Sequence, residues 1–127
     1  MTKSIMAKVA EAKEMLPEIA PADVEAMRGR DDVLIVDVRD PTEVAASGKV
    51  AGAVNVSRGM LEFKADPGSP YHDEAFQPEK TVILYCASGG RSALAGQALM
   101  ELGYTDVRNL GAFKTWAEAG LPIDKAG

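Results

Sequence analysis

Hydrophobic residues along the chain follow two different spacings. Ile5, Val9, Ala12 and Leu16 recur every three or four residues, which predicts an amphipathic helix over 4–16 that Ser4 caps. The same spacing and the same end signals predict further helices over 21–28, from Asp40 to Gly48, over 91–102 and over 113–119.

Short apolar runs rich in β-branched residues separate these helices. They cover 33–38, 53–56, 81–85 and 107–110 and are typical of buried parallel strands. Residues 57–80 are the least regular stretch, with one or two helical turns expected over 60–64. Because strands alternate with helices, we predict an α/β fold: one domain with a central, mostly parallel sheet of about five strands and helices on both faces. We divide the chain into an N-terminal helix, 1–16, and a domain, 17–127.

Size and charge narrow the function. The 127 residues suffice for one compact domain, and a net charge of -5 argues against binding to nucleic acid or to an anionic membrane. One cysteine excludes an intrachain disulfide, and no apolar run approaches the roughly 20 residues of a membrane span. These features lead us to expect a cytoplasmic protein without nucleic-acid or membrane partners.

Candidate chemistry is concentrated where the strand 81–85 ends. The segment that follows reads Cys86, Ala87, Ser88, Gly89, Gly90, Arg91 and Ser92. Ligands of open α/β sheets bind at the carboxyl ends of strands, and a glycine-rich turn into a helix directs backbone N–H groups at one point. Those dipoles and the charge of Arg91 favour a thiolate at Cys86. The alternative is a buried cysteine that serves only as a small apolar residue.

Four segments in order resemble the rhodanese-like domain family over about residues 17–124. They are Val36–Glu43, Gly48–Asn55, Cys86–Ser92 and the C-terminal stretch with Gly103, Leu110, Trp116 and Pro122. The chain departs from the family pattern at Lys49, Ala51 and Ala112, and its loop between Cys86 and Arg91 carries no charge.

The resemblance implies a sulfurtransferase. Cys86 attacks a small sulfane-sulfur donor such as thiosulfate and becomes a persulfide, and a thiol or cyanide then accepts the sulfur. Amides and hydroxyls from Ala87 to Ser92 would stabilise the charge on sulfur, and no metal or other cofactor is needed. The uncharged loop leaves an alternative open: a sulfur carrier that a sulfur-relay protein supplies.

Loop length distinguishes two chemistries within such folds. Four residues separate Cys86 from Arg91, whereas cysteine phosphatases and arsenate reductases use five around their larger anion. The resemblance therefore favours sulfur transfer over phosphatase activity.

Five residues outside the loop carry narrower expectations. Asp37 ends a buried strand and is expected to support a neighbouring turn, and Arg39 and Glu43 are expected to form a structural ion pair. Arg58 and Lys64 would attract an anionic donor if the irregular stretch folds over Cys86; otherwise they belong to a solvated surface loop.

Overall fold

The computed structural model describes residues 2–125. The predicted N-terminal helix, 1–16, and the predicted domain, 17–127, therefore include Met1 and residues 126 and 127, which lie outside the described residues. The strands are β1 (Val33–Asp37), β2 (Lys49–Val50), β3 (Val54–Asn55), β4 (Thr81–Cys86), β5 (Asp106–Ala112) and β6 (Ile123–Asp124). The helices are α1 (Ile5–Met15), α2 (Pro21–Met27), α3 (Pro41–Ser47), α4 (Leu61–Ala65), α5 (Gly90–Glu101) and α6 (Phe113–Glu118), with a 3₁₀ turn over Arg58–Met60.

Parallel strands form the central sheet in the order β3-β1-β4-β5. This confirms the predicted α/β class. Within residues 2–125 the sheet has four strands rather than about five, and a bridge from Glu18 to Asn109 lies beyond them at β5. An antiparallel pair, β2 with β6, lies apart from the sheet and was not predicted. Strands of two residues are too short to show an alternating pattern.

Side chains of β1 and β4 alternate between two hydrophobic clusters, one on each face of the sheet. Val36 and Leu84 belong to the cluster that includes Leu99 of α5, while Ile83 belongs to the cluster that includes Trp116 of α6. Helices therefore cover both faces, as the near-continuous apolar runs predict.

The stretch 57–80 is packed into the protein more closely than a solvated loop would be. Leu61, Ala65 and Phe76 are fully buried in the same cluster as Cys86. The hydroxyl of Tyr104 donates to the carbonyl oxygen of Ala65 at 2.7 Å. The chain here has little periodicity, yet the core includes three of its apolar side chains.

The N-terminal helix packs directly on α5. Val9 and Ala12 of α1 are buried, and Leu16 lies so close to Gly96 that a Cβ atom there would overlap the leucine side chain. The division of the chain at residue 16 remains a prediction. No helix within residues 2–125 is long and apolar enough to cross a membrane.

Candidate active site

Cys86 is the last residue of β4, at the carboxyl end of the sheet, and its side chain is fully buried. The chain turns at once into α5, with Gly89 as the residue before the helix. Gly89 has φ +99°, a left-handed conformation that glycine adopts without the strain a Cβ atom would introduce. The predicted strand-to-helix turn is therefore present, and its geometry depends on this glycine.

Hydrogen-bonding groups of Gly89 and Ser92 lie next to the sulfur of Cys86. The backbone N–H of Gly89 donates to Sγ at 3.0 Å, and that of Ser92 donates at 3.4 Å. The hydroxyl oxygen of Ser92 lies 3.5 Å from Sγ. The turn thus directs two backbone N–H donors at one sulfur atom, beside the hydroxyl oxygen of Ser92.

The environment lowers the pKa of the Cys86 thiol below its ordinary value. Burial alone disfavours the charged form and raises the pKa, but the hydrogen bond shared with the Ser92 hydroxyl and those from the amides of Ser92, Gly89 and Ser88 outweigh it. A lowered pKa increases the thiolate fraction near neutral pH, which is the form that acts as a nucleophile.

Asn109 of β5 holds the Ser92 hydroxyl in place. The oxygen Oγ of Ser92 lies 2.8 Å from Oδ1 of Asn109 and 3.1 Å from the carbonyl oxygen of Gly89. Both side chains are buried. Sequence reasoning missed Asn109, although asparagine is a residue depleted in strands and its place inside a predicted strand, next to Leu110, was a signal for it.

Arg91 lies at the rim of the site but is engaged by a carboxylate. Its two terminal nitrogens donate to the two carboxylate oxygens of Glu43 at 2.7 and 2.8 Å. This pair lowers the pKa of Glu43 to about 2 and raises that of Arg91. Glu43 also accepts from the Asp40 backbone N–H at 2.9 Å, which fixes its position at the start of α3.

The ion pair predicted between Arg39 and Glu43 is wrong. Arg39 is buried and donates instead to Asp37 at 2.7 Å and to the carbonyl oxygen of Gly48. The buried carboxylate of Asp37 competes more strongly for the guanidinium than a half-exposed one, because water screens the latter. Asp37 also accepts the backbone N–H of Arg39 at 2.9 Å and so supports the turn after β1.

Among residues 2–125, no hydrogen bond or ion pair links the side chain of Arg58 or Lys64 to Cys86. Arg58 donates to Glu62 at 2.6 Å and lines a cavity of about 210 Å³ beside Gln97, on the flank of α5. No residue from Cys86 to Ser92 lines that cavity. Lys64 is half-buried at the end of α4. Their role as rim residues remains a prediction.

A second cavity, of about 410 Å³, borders the cysteine loop; we call it the Lys13 cavity. It is lined by Ser88 and Gly89 on one side, by Asn109 on another, and by Lys13 and Glu18 from the N-terminal segment. Sequence reasoning did not connect Lys13 with the loop, because the two lie far apart along the chain. Within residues 2–125, no group of three or more histidine, cysteine, aspartate and glutamate residues is arranged to hold a metal ion.

The family profile described as the rhodanese-like domain matches residues 20–119. A curated relative from Allochromatium vinosum, named sulfurtransferase, is 36% identical over 94 residues, which are 73% of this chain and 79% of that protein.

Two solved structures resemble the whole chain. A Rhodopseudomonas palustris protein of unknown function, described as a possible tyrosine phosphatase, is 42% identical to this chain, with a TM-score of 0.89. The aligned region covers 98% of this chain and 96% of the Rhodopseudomonas chain. The polysulfide-sulfur transferase homodimer from Wolinella succinogenes is 33% identical to this chain, with a TM-score of 0.76. The aligned region covers 95% of this chain and 87% of the Wolinella chain.

Proposed function

Because the chain belongs to the rhodanese-like domain family, whose relatives include named sulfurtransferases, we propose that it carries sulfane sulfur as a persulfide on Cys86. The observation that supports this most directly is the cradle of N–H donors around Sγ, from Gly89 and Ser92. Such donors stabilise a thiolate before reaction and the negative charge of a persulfide after it.

The reaction divides into two displacements. In the first, the Cys86 thiolate attacks the outer sulfur of thiosulfate, a cysteine–sulfur bond forms, the bond to the inner sulfur breaks, and sulfite leaves with the electron pair. In the second, a thiolate or cyanide attacks the terminal sulfur of the persulfide, and Cys86 leaves as the thiolate. The acceptor becomes a persulfide or thiocyanate. Neither step needs an external oxidant or reductant.

The physiological donor divides the proposal into two forms. In the first, a small sulfane donor such as thiosulfate or polysulfide loads Cys86 directly. In the second, a sulfur-relay protein loads it and thiosulfate turnover is slow. The uncharged loop from Ala87 to Gly90 favours the second form, whereas relatives named sulfurtransferases favour the first.

Phosphatase activity is the competing candidate, because a structural relative is described as a possible tyrosine phosphatase. Two observations oppose it. The loop has four residues between Cys86 and Arg91, and the Arg91 guanidinium is engaged bidentately by Glu43. An arginine held in this way has fewer donors left for the three oxygens of a phosphoryl group.

Intact-protein mass after incubation with thiosulfate tests the proposal, with the wild type beside Cys86→Ser. We expect the wild type to gain one sulfur atom, to lose it on addition of cyanide or a thiol, and the variant to gain none. Polysulfide is tested in parallel, since loading by polysulfide but not by thiosulfate would indicate the donor. Absence of added sulfur from both donors, combined with aryl-phosphate hydrolysis that Cys86→Ser abolishes, would contradict the proposal.

A further inference from the structure

We propose that the Lys13 cavity is the subsite for the anionic group of the sulfur donor, with Lys13 as a specificity-determining residue supplied by the N-terminal helix. The donor class is a thiosulfonate-type anion, either thiosulfate itself or an organic thiosulfonate. The identity of this donor rests on the proposed function. The preference of the site for anionic over neutral reagents that react with Cys86 does not depend on that function. The helix that carries Lys13 lies before the family match, which begins at residue 20.

The first step of the argument is proximity. A Cβ atom built on Gly89 would lie 3.9 Å from Nζ of Lys13, and the N–H of the same glycine donates to Sγ of Cys86 at 3.0 Å. One residue therefore joins the cavity wall to the nucleophile. This chain of contacts keeps the ammonium group within about 10 Å of the sulfur, roughly one Debye length at 0.1 M salt.

The second step is charge. Glu43 binds both terminal nitrogens of Arg91, so the cation that the sequence places nearest the loop is already paired and part of its positive potential is offset. Lys13 has no ion-pair or hydrogen-bond partner for its side chain among residues 2–125, and its side chain is exposed. An unpaired ammonium at a cavity wall attracts anions and raises their local concentration.

The third step is a buried amide in the cavity wall. Asn109 is only 6% exposed, and its Oδ1 receives the Ser92 hydroxyl. Its side-chain nitrogen donates to no acceptor among residues 2–125 and is not enclosed, since no fully buried side-chain nitrogen among these residues lacks a partner, so it can donate to an oxygen of an anion in the cavity. Lys13 and Asn109 thus provide a charged donor and a neutral one in the same cavity.

Glu18 limits which anions fit. Glu18 lines the same cavity, and the negative charge of this residue repels a dianion more than a monoanion. The volume of about 410 Å³ falls within the range of small-molecule sites and has room for an organic donor. Removing the carboxylate should therefore favour thiosulfate, whereas removing the ammonium should disfavour it.

The first experiment compares two alkylating agents at Cys86 and requires no sulfur transfer. Iodoacetate is an anion and iodoacetamide is its neutral analogue, and both react when the thiolate displaces iodide. We expect Lys13→Gln to lower the ratio of the iodoacetate rate to the iodoacetamide rate by roughly two- to sixfold, and Glu18→Gln to raise it. Salt at 0.5 M should remove most of the difference.

The matched control is Lys8→Gln, which removes the same charge from the same helix. Lys8 lines the cavity beside Gln97 and Arg58, not the Lys13 cavity. The ratio of the iodoacetate rate to the iodoacetamide rate in Lys8→Gln should equal that of the wild type. An unchanged ratio in Lys13→Gln, or an equal fall in Lys8→Gln, would overturn the inference. Lys13 and Lys8 are both exposed, so neither variant should impair folding.

The second experiment measures single-turnover sulfur loading of Cys86 against the concentration of thiosulfate, a dianion, and of methanethiosulfonate, a monoanion. Lys13→Gln should raise the half-saturating concentration of thiosulfate by roughly two- to sixfold, raise that of methanethiosulfonate less, and leave the limiting rate near wild type. Equal half-saturation in wild type and variant would overturn the donor role. If no donor loads the wild type while the alkylation ratio shifts as expected, the proposed function fails and the anion subsite stands.

Discussion

At the scale of single residues, neutral hydrogen bonds account for the reactivity expected of Cys86. The sequence suggested a role for the charge of Arg91, but the groups in contact with Sγ are the amides of Gly89 and Ser92 and the Ser92 hydroxyl. The two amides are fixed by the backbone and need no reorganisation when charge develops on sulfur. The thiolate therefore depends on the turn more than on a neighbouring cation.

Ser92→Ala should raise the pKa of the Cys86 thiol. The substitution removes a hydroxyl 3.5 Å from the sulfur while the backbone N–H of residue 92 remains. We expect alkylation by iodoacetamide at pH 7 to slow by about three- to tenfold, with the midpoint of its pH profile moved upward. Ser88→Ala keeps the backbone donor of its residue and should change the profile less. Identical profiles for Ser92→Ala and the wild type would contradict the hydroxyl's role.

At the scale of secondary-structure elements, one ion pair joins the start of α3 to the start of α5. Glu43 lies in the first turn of α3, and Arg91 is the second residue of α5. Both side chains are about one-third exposed, so solvent screens the pair and its contribution to stability is modest. Its main consequence is positional, because α5 begins at the turn that surrounds Cys86.

The Glu43–Arg91 pair should make stability depend on pH in the acid range. The pKa of Glu43 is lowered to about 2 in the folded protein, whereas an unfolded chain has a value near its ordinary 4.5. The stabilisation is therefore fully present above about pH 4.5 and lost as the pH falls toward 2. Relative to Glu43→Gln, we expect the wild type to be more stable by about 1 kcal/mol at pH 7.

Urea unfolding at pH 7, 4 and 2.5 measures this difference, which should shrink at each step. Glu62→Gln is the control, since it removes a carboxylate from another surface pair, the one with Arg58. A difference between wild type and Glu43→Gln that stays constant from pH 7 to 2.5 would contradict the assignment.

At the scale of the whole molecule, a buried ion pair ties several parts of the fold together. Arg39 is 4% exposed and Asp37 is fully buried at the end of β1. The guanidinium also donates to the carbonyl oxygen of Gly48, which ends α3, and its central carbon lies 4.3 Å from the ring centre of Phe113 in α6. One side chain thus connects the sheet with two helices.

Arg39→Met should destabilise the protein strongly. Removing the guanidinium leaves the carboxylate of Asp37 buried without its counter-charge, which costs about 3–5 kcal/mol. Urea unfolding should show this loss, and the double variant Asp37→Asn, Arg39→Met should recover part of it because the uncompensated charge is gone. Arg30→Met removes an exposed arginine paired with Asp32 and should cost less than about 1 kcal/mol. A similar small loss for Arg39→Met would contradict the argument.

The fold class and the place of Cys86 at a strand end could be predicted because both depend on patterns local in sequence. Apolar periodicity marked the strands and helices, and Cys86 with its glycine turn occupies consecutive residues at a strand end. The two-residue strands β2 and β6 lay below the length at which periodicity is visible. The packing of Phe76 into the core likewise had no periodic signal.

By itself, the sequence determined the α/β alternation, the cysteine at the end of β4 and the loop of four residues before Arg91, because periodicity and turn chemistry act between near neighbours. Only the tertiary structure decided which partners those residues have. Glu43 binds Arg91, Asn109 holds Ser92, and Lys13 lies beside Gly89. Such contacts join residues far apart in the chain, and their choice depends on how helices pack on the sheet and on which charges become buried.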